Sequence, residues 1–255
     1  MKAWMWVLST LLVSPMAMAV QPRMSVHVTY DWSGWGAVSE HWFIQRDAYG
    51  LTTRVQVVDA PDVKARLPEL LPVDAMAALE AALQAAPLTR EATVNLISSR
   101  LDRAAILGLD PGQRSLQPGA CPFVQQRAFA RQALATLSLQ ARVARHFEGL
   151  WTDDYPMMTV VVTRPGRPDV VLVSTSQATM MLPWKRLPSA EFDQQVLAVA
   201  REEWRPALSE AVNALLPDGE ASRDRFQMGW LQDRLRSDLA RESLDCGAGR
   251  RRRAR

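Results

Sequence analysis

Three alternating stretches follow an apolar leader. From Met24 to Asp31, Val26, Val28 and Tyr30 fall on one side of an extended backbone. From Glu40 to Asp47, Trp42 and Ile44 fall on one side and His41 and Phe43 on the other. Tyr49 to Val58 follows a tight turn at Ala48 to Gly50. Successive side chains of a strand point to opposite faces, so each stretch predicts a strand with one buried side. The short connections predict an antiparallel meander.

The period then changes. Asp59-Ala60-Pro61 predicts a cap with proline early in a short helix. Val73 to Ala85 carries Met76, Leu79 and Leu83 at helical spacing. Thr89 or Arg90 to Leu107 carries Val94, Ile97, Leu101 and Ala105, and Phe123 to Phe147 carries Ala130, Leu134, Leu137, Ala141 and Ala144. Between the last two, Leu109 to Pro122 has the Pro, Gly, Ser and Gln of a loop. β-branched runs return at Met157 to Thr163 and Val170 to Thr175. They are joined by Arg164-Pro165-Gly166-Arg167-Pro168, whose Pro-Gly predicts a hairpin turn. Thr179 to Leu182 adds a short third piece. Glu191 to Glu203 reads as helical, and Pro206 either kinks that helix or starts a new one ending before Pro217. Ser222 to Glu242 is a last amphipathic helix, with Phe226, Leu231, Leu235 and Leu239.

Blocks of strands separated by blocks of helices predict an α+β fold rather than a doubly wound one. The simplest closure is a mostly antiparallel sheet formed from the two β blocks, with helices packed on one face. No linker divides the chain, so residues 20–246 read as a single domain, followed by a disordered Arg-rich tail at 247–255.

The first nineteen residues read as a signal peptide. Lys2 supplies the positive start, Trp4 to Val13 is apolar apart from Ser9 and Thr10, and Ala17-Met18-Ala19 places small residues where a signal peptidase cuts. Cleavage is expected after Ala19. The apolar run is about half of the ~20 residues a spanning helix needs, and no later stretch is longer, so no transmembrane segment is expected in the mature chain. The chain has only three lysines among its 30 basic residues, the bias of a GC-rich bacterial genome. The expected location is therefore the periplasm of a bacterium or its exterior.

Charge changes the picture once the tail is set aside. Without Lys2 and the five arginines at Arg250 to Arg253 and Arg255, 24 basic residues face 27 acidic ones, a net charge of −3. The body is mildly acidic, so no specific nucleic-acid face is implied. The tail alone would attract anionic surfaces. The two cysteines, Cys121 and Cys246, would meet an oxidising compartment in an exported protein, which permits a disulfide between them or leaves two thiols.

Four segments carry candidate chemistry. Asp31-Trp32-Ser33-Gly34-Trp35-Gly36 places two indoles in a turn, either for stacking on a ligand or for covering the sheet edge. Asp153-Asp154-Tyr155-Pro156 offers two carboxylates, or else a turn in which Asp caps backbone donors. Ser174-Thr175-Ser176-Gln177, with Met180-Met181-Leu182-Pro183-Trp184, combines outward hydrogen-bonding groups with a deformable apolar surface, or reads as a strand exit over the core. The arginine tail is the fourth. His27, His41 and His146 show no HxxxH or HExxH spacing. His27 and His41 could occupy neighbouring strands, but two histidines without a third ligand make a poor zinc site. No nucleophile elbow, phosphate-binding glycine loop or CxxC is present, so no metal and no cofactor is expected.

Trp32-Ser33-Gly34-Trp35-Gly36, Asp153-Asp154-Tyr155-Pro156, Ser176-Gln177 and Met181-Leu182-Pro183-Trp184 together resemble an uncharacterised family of exported bacterial proteins. The resemblance implies that these segments belong to one structure and assigns no activity.

The leading functional reading is a non-enzymatic periplasmic or secreted binding or interaction module. Trp32, Trp35, Asp153, Asp154, Ser176, Gln177 and Trp184 would form one surface for a small ligand or an envelope protein. One alternative is a hydrolase of a cell-envelope polymer that draws its acid and base from Asp31, Glu40, Asp153 and Asp154. Another is a structural or inhibitory partner of an envelope protein, docking through Met180, Met181 and Trp184.

Overall fold

The computed structural model describes residues 23–33, 37–57, 67–108, 121–147, 157–175, 181–189, 194–217 and 228–244. Eight strands form one antiparallel sheet: β1 (Met24–Ser33), β2 (Ala37–Arg46), β3 (Thr52–Val57), β4 (Glu69–Leu70), β5 (Met157–Arg164), β6 (Arg167–Ser174), β7 (Trp184–Leu187) and β8 (Glu202–Glu203). Their order is β4-β3-β2-β1-β5-β6-β7-β8. The two β blocks join where β1 pairs with β5, from Ser25 opposite Thr163 to Asp31 opposite Met157. The α+β class and the single antiparallel sheet expected from the pattern are what the structure shows.

Alternation decides the faces. Met24, Val26, Val28 and Tyr30 of β1, Trp42 and Ile44 of β2, and Met158, Val160 and Val162 of β5 are all buried. Leu172 of β6 and Trp184 of β7 extend that face. Seven helices share its core: α1 (Ala75–Gln84), α2 (Arg90–Arg100), α3 (Arg103–Leu107), α4 (Phe123–Ala133), α5 (Thr136–His146), α7 (Pro206–Leu215) and α8 (Met228–Leu244). Each large apolar side chain taken fully out of water there contributes roughly 1.5–3 kcal/mol. The opposite face is covered only at one side among the described residues. The short helix α6 (Gln194–Val199) packs Val196 and Leu197 over Val171, Val173 and Leu187. Helices on one face is thus right for the main layer and incomplete at β6 and β7.

Several boundaries differ from the sequence reading. The run from Thr89 to Leu107 is two helices, because Leu101 turns extended and the Asp102 carboxylate accepts hydrogen bonds from Ala104 N (2.8 Å) and Ala105 N (3.1 Å), capping α3. Phe123 to Phe147 is likewise two helices, broken at Ala135, and Leu137 lies exposed instead of on the apolar stripe. The third strand of the second β block is Trp184–Leu187 rather than Thr179 to Leu182, whose first two residues lie outside the described ones. Pro206 starts a helix: it is the first residue of α7, where its missing N–H costs nothing. The helix expected at Asp59 to Pro61 falls outside the described residues.

Buried arginines tie the layers together. Arg54 of β3 donates to the Leu215 carbonyl at the end of α7 (2.8 Å) and to Glu69 of β4 (2.5 Å). Arg205 donates to the Ala82 and Ala85 carbonyls at the end of α1 and, through Nε, to Glu203 (2.5 Å). The two helices these side chains cap at their C-termini pack against each other. Cations there satisfy orphan carbonyls and oppose the negative end of the helix dipole. Arg142 of α5 holds Glu242 of α8 with two bonds, at 2.6 and 3.2 Å. No helix among the described residues is long and apolar enough to cross a membrane.

Candidate functional site

The side of β1 and β2 that faces away from the helices is polar and ringed. With Val26, Val28 and Tyr30 buried, alternation sends Ser25, His27, Thr29 and Asp31 the other way. The register sets His27 opposite Phe43, Thr29 opposite His41 and Asp31 opposite Ser39. His27, Ser39 and Phe43 are exposed. The His27 and His41 rings, diagonal to one another, stack with centroids 5.8 Å apart and planes at 24°. Phe43, opposite His27 in the register, puts a third ring on the same side of the sheet.

A hydrogen-bonded chain continues from the rings. Ser39 Oγ donates to Asp31 Oδ1 at 2.6 Å. His41 Nε2 lies 3.0 Å from the same Oγ, and His41 Nδ1 lies 3.3 Å from Thr29 Oγ1. Because the serine proton is committed to Asp31, Nε2–H is assigned as donor to Ser39 and Nδ1 as acceptor from Thr29. The chain Thr29–His41–Ser39–Asp31 is then satisfied at every link. Burial pushes the His27 imidazole below the usual histidine value, and the neighbouring His41 pushes it the same way.

Serine, histidine and aspartate meet here in a different order from that of a nucleophilic triad. In a triad the carboxylate orients the histidine, which accepts the serine proton. Here the carboxylate takes the serine proton itself. The arrangement presents hydroxyls, a carboxylate and ring faces on the open side of the sheet.

The residues singled out from the sequence fall in three groups. Trp32 sits in β1 opposite Val38, with its side chain outside the described part. Trp35, Asp153, Asp154, Ser176, Gln177, Met180 and Cys246 lie outside the described residues. The strand ends that flank them adjoin, since Asp31 pairs with Met157 and Met158 with Ser174. The two β blocks thus meet, as a shared surface requires.

Trp184 is a correction. It is 0% exposed, and its indole Nε1 donates to Ser209 Oγ at 3.0 Å, which in turn donates to the Met181 carbonyl at 3.2 Å. Met181 is also buried. Both belong to the core, where an apolar ring with one satisfied donor fits, and neither offers an exposed patch to a partner. Asp31 and Glu40 also separate. Glu40 pairs with Tyr30, whose side chain is on the helix-facing side, whereas Asp31 pairs with Ser39 on the open side. Those two carboxylates do not face each other.

His146 stands apart on α5, its imidazole pushed down mainly by burial, with Asp238 opposing and Arg234 and Arg145 adding to the shift. Among the described residues no three His, Cys, Asp or Glu side chains gather as a metal site. Sequence reasoning misses the Thr29–His41–Ser39–Asp31 chain. Its signal in the sequence is the alternation that sets small hydroxyl residues beside the histidines, and it becomes specific only with the register. Compared with known proteins, the chain matches no family, no characterised protein and no solved structure.

Proposed function

We propose that this chain is an exported, non-enzymatic binding module that holds its ligand on the open face of β1 and β2. One observation carries the reading. The exposed side of these strands lines up Phe43, His27 and His41 with the hydrogen-bonded Thr29, Ser39 and Asp31. Ring faces give contact area at low entropic cost, and the hydroxyls and carboxylate give direction. The strip runs toward the adjoining ends of β1, β5 and β6, from which the Trp35, Asp153/Asp154 and Ser176/Gln177 segments continue. Those residues are proposed as its rim.

The leader ending at Ala19 supports placement in the periplasm or outside the cell. A disulfide between Cys121 and Cys246 belongs to the same proposal. Its support is the 2.8 Å bond from Cys121 N to the Leu244 carbonyl, two residues before Cys246, and the lack of a free cysteine among the described residues.

The test is amide-shift mapping of the processed chain with solubilised cell-wall fragments and with soluble envelope polysaccharide as probes. The expected perturbations cluster at residues 27, 29, 31, 39, 41 and 43. Perturbations confined to the helical layer would overturn the assignment of this face.

A further inference from the structure

A different group of side chains collects on the helix-facing side, at the end of the sheet where β1 and β6 begin and β2 and β5 finish. The register sets Met24 opposite Arg46 and Arg46 opposite Thr52. Arg164, one residue beyond the Ser25–Thr163 pair, comes level with Met24 on its other side, and Arg167 is opposite Arg164. Alternation continues from the buried Ile44 and Val162, so Arg46 and Arg164 both turn toward the helical layer, with the buried Met24 between them.

We propose that Arg46 and Arg164 form a binding site for an oxyanion of the phosphate class. Arg164 engages it edge-on through Nε and Nη2, and Arg46 contributes Nε from the far side of Met24.

Buried polar atoms on this line carry the proposal. Arg164 Nε and Nη2, Arg46 Nε and Thr52 Oγ1 are all shut off from solvent, and among the described residues none of them has a hydrogen-bond partner. A buried donor without an acceptor is costly, and more so on a charged group. The two on Arg164 share one edge of the guanidinium, which presents parallel N–H groups at the spacing of two oxygens of a phosphate or carboxylate. Other buried arginines of the chain show the contrast, since Arg54, Arg142 and Arg205 direct such groups at a carbonyl or a carboxylate. Arg164 and Arg167 also face each other directly across β5 and β6, where like charges repel. An anion held at Arg164 relieves that repulsion and supplies the acceptors together. Neighbouring strands are about 4.8 Å apart, so the Arg46 and Arg164 backbones stand about 10 Å apart, astride one residue. Two arginine side chains close that gap around a single tetrahedral group. A carboxylate has two oxygens and would be used up by the Arg164 edge, whereas phosphate keeps oxygens free for Arg46.

Two sources share this chemistry, free phosphate and a phosphate ester on a lipid headgroup. The site is on the side of the sheet opposite Phe43, His27 and His41, so it stands or falls independently of the ligand proposed for that face.

The test is calorimetric titration of the full processed chain with inorganic phosphate, at an ionic strength held constant with chloride. Co-sedimentation with vesicles of phosphatidylglycerol in phosphatidylcholine, with and without phosphate as competitor, runs beside it. The expected result is saturable phosphate binding at a single site, with a Tm that rises as the site fills. Arg164→Lys keeps the charge and loses the edge-on pair of donors, so about a tenfold or greater loss of affinity is expected in it, and likewise in Arg46→Gln. Vesicle binding that is lost in Arg164→Lys, without uptake of free phosphate, would support the same site and assign it to a headgroup. Absence of both kinds of binding would overturn the proposal. So would equal binding by the wild type and Arg164→Lys, the mark of unspecific attraction to positive charge. If one variant does not fold, the other decides.

Discussion

Replacing Arg205 by alanine tests how the layers are joined. This residue does two jobs at one corner. Its carbonyl accepts the first bonds of α7, from Leu208 N (3.1 Å) and Ser209 N (3.2 Å), and any residue can do that. Its guanidinium, 9% exposed, donates to two carbonyls at the C-terminus of α1 and to Glu203, whose side chain is 16% exposed. Alanine keeps the first job and removes the second. Two C-terminal carbonyls lose their donors, and among the described residues Glu203 retains only Arg186, at 3.7 Å. A hydrogen bond to a charged group contributes about 1.5–3 kcal/mol, and breaking a buried pair from one side costs about 3–5 kcal/mol. We expect Arg205→Ala to lose about 3–5 kcal/mol in urea unfolding, a fall in Tm of roughly 6–20 °C at ~2–4 °C per kcal/mol for a domain of this size. Arg205→Met combined with Glu203→Gln removes both charges and should lose less than Arg205→Ala alone. A loss below ~1 kcal/mol, the level of an exposed ion pair, would refute the claim that this arginine joins α1 to α7.

Other outcomes follow from the same contacts. Ser209→Ala leaves the buried Trp184 indole N–H without its acceptor and should cost about 1–3 kcal/mol, read by denaturant unfolding with tryptophan fluorescence. Reductant, or Cys121→Ser, should destabilise the chain by up to about 5 kcal/mol if the proposed disulfide closes the loop to Cys246; identical unfolding curves with and without reductant would remove the bond. His27 and His146 titrate lower when folded than the 6.5 of a free histidine. The unfolded chain therefore takes up protons first as pH falls, and stability should be full above about 6.5 and decline below it. A flat Tm between pH 7 and 5 would contradict that sign. Mass spectrometry of the protein from a bacterial periplasm should give a chain starting at Val20, and an intact Met1 would contradict cleavage after Ala19.

Much of the architecture was legible because alternation is a strong signal. Val26, Val28 and Tyr30, then Trp42 and Ile44, mark a buried side that the structure keeps, and the β-branched runs from Met157 and Val170 mark the second block. Helix breaks were less legible. Asp102 is a recognisable cap residue, but the break at Ala135 has no local cause, since alanine favours a helix and no side chain caps α5. Trp184 reads as a surface residue because its neighbours Met181, Pro183 and Lys185 look like loop residues, while a four-residue strand leaves little pattern to read. The histidines were visible as candidates for neighbouring strands. Their hydroxyl partners were not, because Thr29 meets His41 and Asp31 meets Ser39 only in one register, and a slip of one residue would send the outward set to the core side.

We propose above that the open face of β1 and β2 binds a ligand. The most direct test is the affinity of cell-wall fragments or envelope polysaccharide for the wild-type chain and for Phe43→Ala with His27→Ala, both rings lying on the outer side of the sheet. We expect about a tenfold or greater loss for the double variant, ~1.4 kcal/mol, with the fold retained at the temperature of the binding measurement. Unchanged affinity in a folded double variant would contradict it.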